Sequence, residues 1–313
     1  MTSRIPAPNR IAFIGAGHVG ATAAYATMLR ALFHEIVLID SDADLAQAEA
    51  ADLMDANALA RPARIWAGSY HDTADAQIAV ISAGAASHGD ESRLSLASRS
   101  AVIVTECVRR LADAGFVGVL IIAANPVDLM TQVAIRHAGL PPHRVIGTGT
   151  LLDTSRLRQA LSSSLGVAAS AIEGYVLGEH GDSEVAAFST VRIGGQPIDA
   201  LADADTLVAL AAEVRDAGYH IIGGKGFTSF GIATAIVRIC EAVVRNERAV
   251  LPVSAWVDRG VGSTDICLGM PCVIGANGIE RVLYPRLDAD EEAALLASAA
   301  KLTAALEGLD RPA

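Results

Sequence analysis

Between Arg10 and Asp40 the chain reads R-I-A-F-I-G-A-G-H-V-G-A-T-A-A-Y-A-T-M-L-R-A-L-F-H-E-I-V-L-I-D, and few stretches of this length restrict a fold so tightly. The apolar run Ile11–Ile14 shows no polar alternation, so it reads as a parallel strand buried on both faces. Gly15-Ala16-Gly17-His18-Val19-Gly20 follows at once, a helix-like segment carries the chain to Ala31, and a second apolar run, Ile36–Ile39, ends on Asp40. Strand, glycine turn, helix, strand and acid in that order are the signature of a dinucleotide-binding βαβ unit. Gly15 allows the tight turn, Gly17 lets the backbone approach a pyrophosphate, and Gly20 lets the helix pack closely on the strand. The helix start at His18 and Val19 offers unpaired amides and a partial positive charge. Asp40 stands 20 residues beyond Gly20, where a carboxylate accepts both ribose hydroxyls. Ser41 and Asp42 supply no cation for a 2′-phosphate, so the expected cofactor is NAD rather than NADP.

At 313 residues the chain is long enough for roughly two domains and a large core. Its formal net charge of −11 argues against nucleic acid and against an anionic membrane surface, both of which need clustered Lys and Arg. Cys107, Cys240, Cys267 and Cys272 form no C-x-x-C pair and lie in apolar contexts, as reduced core thiols would. The opening M-T-S-R-I-P-A-P-N-R is polar and proline-broken, without the apolar region of a signal peptide. No uninterrupted apolar run reaches a membrane-spanning length. Together these features point to a cytoplasmic protein.

Further along, helix (42–58), strand (64–67) and buried strand (78–82) continue the alternation of a doubly wound parallel sheet. The small, flexible segment 83–92, with Gly84 and Gly89, leads to Arg93 at the start of a helix running to about residue 114. Loops at the carboxyl ends of such strands bind ligands; taken alone, Arg93 is equally a solvated helix-start cation. A strand over 117–124 ends in Asn125-Pro126-Val127-Asp128, which places Asn125 at the crevice edge. Asp153 and Arg156 stand three apart on a helix and share a face, an arrangement an isolated surface ion pair would also show. In G-Y-V-L-G-E-H-G-D-S-E (174–184), an apolar strand runs into a bend where Gly178 and Gly181 leave His180 exposed. Residues 189–199 read as a hairpin turning at Gly194-Gly195. Helices over 205–222 and 228–245 follow, then two segments, 250–257 and 271–278, expected as antiparallel β within the second domain. A closing helix, 291–307, has Leu295, Ala299, Leu302 and Leu306 on one stripe and Gly308 at its end.

The blocks G-A-G-H-V-G, L-I-D, E-S-R-L, N-P-V-D, L-D-T-S-R and G-E-H-G-D-S, in that order, resemble the NAD-dependent L-lactate/L-malate dehydrogenase family over nearly the full length. G-T-G-T-L-L-D-T-S-R, S-T-V-R-I-G-G-Q-P-I and G-G-K-G-F-T-S-F-G-I-A-T look most like its L-2-hydroxyisocaproate dehydrogenase branch. The resemblance implies a Rossmann-type NAD-binding domain over residues 1–148 and an α+β substrate domain over 149–313. It also implies a homodimer or homotetramer acting on a small 2-oxo or 2-hydroxy acid, with no metal. Its catalytic residues map onto His180 as acid–base group, Asp153 as the carboxylate orienting the imidazole, and Arg93 as the cation that polarises the carbonyl. Arg156 would hold the substrate carboxylate with a planar two-donor fork. Asn125 would position nicotinamide and substrate, Thr228 matches a threonine near the pocket, and Gly84 belongs to the cofactor-side loop.

Ser87 stands where lactate enzymes of this family carry Gln and malate enzymes carry Arg. Without that Arg, a second substrate carboxylate would be buried unpaired at a cost of several kcal/mol, so malate is not expected. Ser87 and Gly218, another pocket-wall position, are both small, which implies room for a side chain larger than methyl, unless His88 fills it. Arg158 matches one residue of the fructose 1,6-bisphosphate site of regulated bacterial lactate enzymes, but Glu173 stands at the second, where an acid would repel phosphate. The expected activity is therefore an L-2-hydroxy acid dehydrogenase acting on substrates such as 2-oxoisocaproate. The alternatives are a plain L-lactate dehydrogenase and a non-catalytic NAD-binding protein on the same fold. Asp40 generates a direct expectation: kcat/KM with NADH exceeds that with NADPH, and equal values would remove the residue from cofactor choice.

Overall fold

The computed structural model of the chain describes residues 9–85, 93–258, 261–262 and 265–309. Its first half alternates strand and helix, as predicted as far as β5: β1 (Arg10–Ile14), α1 (His18–Leu29), β2 (Glu35–Ile39), α2 (Ala43–Asn57), β3 (Arg64–Ala67), β4 (Ile78–Ile81), α3 (Arg93–Asp113), β5 (Val119–Ile122), α4 (Val127–His137) and β6 (Val145–Gly147). These strands lie parallel in the order β3-β2-β1-β4-β5-β6. Residues of β2, β4 and β5 are buried throughout, which is why their sequences run apolar without alternation. Asp42 caps α2 by accepting from the amides of Asp44 and Leu45, each at 3.1 Å. In α4 residues 127–134 are buried, Asp128, Thr131 and Gln132 included, so its polar residues do not mark a solvent face.

Strand order reverses direction between β1 and β4, which opens the ligand crevice of this fold class at their carboxyl ends. There Gly15 adopts φ +101°, and a Cβ on it would lie 2.7 Å from the Ala83 nitrogen. A Cβ on Gly20 would collide with the Gly15 carbonyl at 1.9 Å, whereas one on Gly17 would meet nothing within 4 Å. Two glycines close the turn and the third leaves its outer surface open to a ligand.

The second half contributes α5 (Leu151–Leu165), β7 (Ile172–Leu177), β8 (Val185–Ile193), β9 (Gln196–Pro197), α6 (Ala204–Lys225), α7 (Phe230–Val244), β10 (Ala249–Val257), β11 (Ile266–Gly275), β12 (Gly278–Val282) and α8 (Ala289–Leu309). A separate antiparallel sheet, β7-β8-β9, contains the hairpin at Gly194-Gly195. The expected placement of the late strands needs correction. β10 pairs antiparallel with β6, Ser254 opposite Gly147, and β11 and β12 follow, so all three extend the first sheet to nine strands. The expected segment 271–278 also straddles the turn between β11 and β12. Apolar runs report burial on both faces but not which strand lies alongside.

One hydrophobic core consequently runs through both halves, with a smaller cluster around Leu157, Leu161, Ile172 and Val176 against the second sheet. Leu295, Ala299, Leu302 and Leu306 of α8 are buried as their stripe predicts, although the helix continues through Gly308 to Leu309. All four cysteines are buried and free. Among the described residues no helix is long and apolar enough to cross a membrane.

The crossing from β6 to α5 is tight. Gly149 has φ +51°, and a Cβ there would lie 2.2 Å from the Ser254 nitrogen and 2.6 Å from the Val253 carbonyl carbon, both backbone atoms of β10. Gly194 is equally left-handed, at φ +58°, but nothing stands within 4 Å of its added Cβ. Gly149→Ala should therefore cost roughly 2–5 kcal/mol from strain and overpacking together, and Gly194→Ala about 1 kcal/mol from backbone conformation alone. Urea denaturation measures both; equal losses would show that the β6–β10 junction tolerates displacement.

Candidate active site

The crevice beside the glycine turn is a cleft of about 650 Å³ lined by Gly15, Gly17, Asp40, Ser82 and Gly84, with Tyr70, Glu106 and Arg110 across from them. Asp40 ends β2 and is anchored at its lip: Oδ2 accepts from the Ala16 amide at 2.6 Å and Oδ1 from the Asp42 amide at 3.0 Å. The site has the parts a dinucleotide needs: an open surface at Gly17, the amides at the start of α1, and the Asp40 carboxylate beside the turn. His18 and Val19 occupy the first turn of α1, as expected. Tyr70, Glu106 and Arg110 were not singled out in the sequence. Arg110 places its guanidinium 4.1 Å from the Tyr70 ring centroid, a pairing between segments 40 residues apart that no local pattern announces.

Beyond the cleft, α5 and the β7–β8 loop bring three predicted residues together. Asp153 lies in the first turn of α5 and is 1% exposed. Its Oδ2 bonds His180 Nδ1 at 2.5 Å and its Oδ1 accepts from Arg156 Nη1 at 2.9 Å. Burial acts to raise the Asp153 carboxyl, but the charges and hydrogen bonds of His180 and Arg156 outweigh it and hold the group below the ordinary carboxylate range. Burial likewise acts to lower the His180 imidazole. The charge and hydrogen bond of Asp153, then the charges of Asp128 and Glu184, reverse that and bring it up to about 9.

Further bonds fix the loop that presents His180. Gly178 and Gly269 exchange backbone hydrogen bonds of 2.9 and 2.8 Å, tying the loop to β11. The Glu179 amide donates to Ser298 Oγ of α8 at 2.8 Å, and Lys301 Nζ, also of α8, donates to Glu179 Oε2 at 2.8 Å. The His180 amide donates to Asp128 Oδ2 at 2.8 Å. Asp128, 2% exposed in the first turn of α4, is pushed up to about 6 by burial, against the pull of the Ser254 hydroxyl and the His180 amide. Glu184 is pushed up to about 8 by burial and then by the charge of Asp153. Neither acid was assigned a role from the sequence. For Asp128 the signal was present: a lone carboxylate opening an otherwise apolar segment rarely goes inside without a partner.

Gly218 of α6 faces Arg156, and a Cβ on it would lie 3.8 Å from Nη2. Asn125 stands between β5 and α4, at the carboxyl edge of the sheet. Thr228 lies half-buried in the α6–α7 connection. Arg93 opens α3, but its side chain, like the whole of Ser87, lies outside the described residues. Arg158 donates from Nη2 to the Gly174 carbonyl at 3.2 Å; burial lowers its guanidinium, against the charges of Tyr175 and Glu173.

Comparison with known proteins identifies the family. Residues 9–147 match the lactate/malate dehydrogenase NAD-binding domain, and residues 150–310 match the α/β C-terminal domain of the same family. The chain is 40% identical to an L-lactate dehydrogenase of Thermus aquaticus over 307 residues, covering 96% of this chain and 99% of the relative. It is 41% identical to an L-lactate dehydrogenase of Treponema denticola, over 94% and 96% of the two chains. Among solved structures, the minor L-lactate dehydrogenase of Enterococcus mundtii in its ligand-bound form superposes with a TM-score of 0.93 at 37% identity, covering 96% of this chain and 98% of that one. The chain belongs to the lactate/malate dehydrogenase family and is an NAD-dependent 2-hydroxy acid oxidoreductase.

Proposed function

We propose that this enzyme is an L-lactate dehydrogenase that reduces pyruvate in the cytoplasm as a homo-oligomer, residues 1–148 holding NAD and residues 149–313 the substrate. One observation carries the catalytic reading: a single buried carboxylate, Asp153, bonds both the imidazole of His180 and the guanidinium of Arg156. Acid–base group and anion fork are thereby held on one support. The names of the relatives favour pyruvate.

NAD would be held by Gly15, Gly17, His18, Val19 and Gly20 at its pyrophosphate, by Asp40 at its ribose, and by Gly84 and Asn125 toward the nicotinamide. Bound there, it supplies or accepts the hydride at C2 of the substrate. Arg156 grips the substrate carboxylate through the donors it does not give to Asp153. Imidazolium His180 donates a proton to the carbonyl oxygen during reduction and, as imidazole, removes it during oxidation. Asp153 stabilises the imidazolium and fixes the tautomer by accepting from Nδ1, so the proton moves at Nε2. Arg93 steadies the developing negative charge on that oxygen.

A second reading, a preference for larger side chains such as that of 2-oxoisocaproate, has its own support at Gly218. No side chain projects from that wall, and an added Cβ would meet only the Arg156 guanidinium. Steady-state kcat/KM with NADH across pyruvate, 2-oxoisocaproate and oxaloacetate separates the two. Pyruvate should lead by about tenfold or more, roughly the discrimination available from a few methylenes. A lead for 2-oxoisocaproate would select the second reading, and failure to reduce either acid would end both. Oxaloacetate should be poor, because no Arg stands at position 87 for its second carboxylate.

The charge state of His180 generates a pH expectation with opposite signs in the two directions. Its imidazole is raised to about 9, so the protonated form prevails at neutral pH. kcat/KM for reduction should stay level through neutrality and fall as pH rises through about 9, while that for oxidation climbs over the same interval. The folded state should lose the stabilisation of the His180–Asp153 pair over the same rise, since that stabilisation is full only below the ordinary imidazole range. A reduction profile that falls near pH 6.5 would show that the surrounding carboxylates do not hold the proton on His180.

A further inference from the structure

The α6–α7 connection makes a contact that the reaction above does not use. Gly226 ends α6 at φ +86°, and Phe227, Thr228 and Ser229 follow before α7 begins. The Phe227 ring lies face to face on the imidazole of His18, with centroids 3.8 Å apart and planes 8° from parallel. Lys225 Nζ stands 4.5 Å from the Phe227 ring centroid and 4.2 Å from that of Phe230. His18 is the first residue of α1, within the glycine turn.

The end of α6 has little else to hold it. Residues 219–226 are all exposed, and an added Cβ on Gly223 or Gly224 would meet nothing within 4 Å. Tyr219 donates its hydroxyl to Asp182 Oδ1 at 2.9 Å, tying this helix end to the loop of His180. The Phe227 stack provides the corresponding tie to the phosphate-binding turn. Thr228 follows Phe227 directly, and Gly218 lies about two turns before the end of α6 at Lys225. A pyrophosphate accepting from the first amides of α1 restrains the residue that carries the imidazole, and a stacked ring passes that restraint across.

We propose that Phe227 is a positioning residue: stacked on His18, it couples occupation of the phosphate-binding turn to the placement of the substrate wall at Thr228 and Gly218. The proposal rests on the reading that those two residues border the substrate. Such coupling is reciprocal, so a ligand in the substrate site tightens cofactor binding by the factor it receives. Lys225 holds the Phe227 ring from its own helix end.

Equilibrium binding tests it without turnover. NADH affinity is read from the fluorescence of the nicotinamide, and oxamate, a pyruvate isostere, is titrated into the NADH complex. His18→Ala and Phe227→Ala should each weaken oxamate binding roughly threefold to tenfold, the scale of one aromatic pair. The double variant should lose about as much as either single one, because both remove the same contact. Phe227→Tyr, which keeps the stack, should remain within about twofold of wild type, and the mutual tightening of NADH and oxamate should survive in it alone among the variants. Additive losses, or wild-type oxamate affinity in Phe227→Ala, would overturn the coupling. A wild-type NADH complex that binds no oxamate would instead overturn the substrate reading on which it rests.

Discussion

The site depends on one buried carboxylate. Asp153 is 1% exposed, and a charge removed that far from water is tolerated only when hydrogen bonds and opposite charge replace its hydration. Both oxygens are used, one by His180 and one by Arg156. Removing either partner from such a pair leaves an uncompensated charge, at a typical cost of about 3–5 kcal/mol. The arrangement the chemistry requires is therefore also the one that makes the acid's burial acceptable. The start of α5 helps as well, because a carboxylate in the first turn lies at the positive end of the helix dipole.

That carboxylate must reach across the protein, and the sheet makes the reach reproducible. Asn125 follows β5, Asp153 and Arg156 follow β6, and His180 follows β7 of the second sheet, so the groups proposed to react all stand beyond strand ends. β10 lies against β6 and closes on Gly149, which sets where α5 starts relative to the nucleotide crevice. β11 then holds the His180 loop through the Gly178–Gly269 exchange, and α8 holds it through Ser298 and Lys301. Strands from the second half of the chain thus complete a sheet begun by the first and carry the histidine with them.

Much of this was legible in the residues, for reasons that also mark the limits. The turn Gly15–Gly20, the acid at 40 and the pair Asp153–Arg156 are local: their spacing along one turn or one helix already determines which atoms meet. The hairpin at Gly194-Gly195 and the stripe of α8 are local in the same way. The partnership of β10 with β6 joins residues more than a hundred positions apart, and an apolar strand contains no record of its neighbour. α4 has the related property that polar residues such as Asp128, Thr131 and Gln132 are buried with the apolar ones, so residue type does not report its solvent side. Asp128 and the Tyr70–Arg110 pair act through contacts between distant segments, so their residue types were visible but not their company.

In the proposed reaction, the charges around His180 also govern how an anionic substrate is accepted among so many acids. At neutral pH the imidazolium and Arg156 are positive, Asp153 is held ionised by both, and Asp128, raised only to about 6, is mostly ionised beneath the loop. Those four charges nearly cancel. Burial and the charge of Asp153 push Glu184 up to about 8, so it holds its proton far more firmly than an exposed glutamate and carries less negative charge beside Asp153. Were it ionised, an entering carboxylate would face repulsion from the surface that is meant to bind it. The weaker charge at position 184 leaves the guanidinium of Arg156, bonded to Asp153 through Nη1, with more of its attraction for an anion. The burial that weakens an acid at position 184 thereby favours net attraction for an anion at position 156.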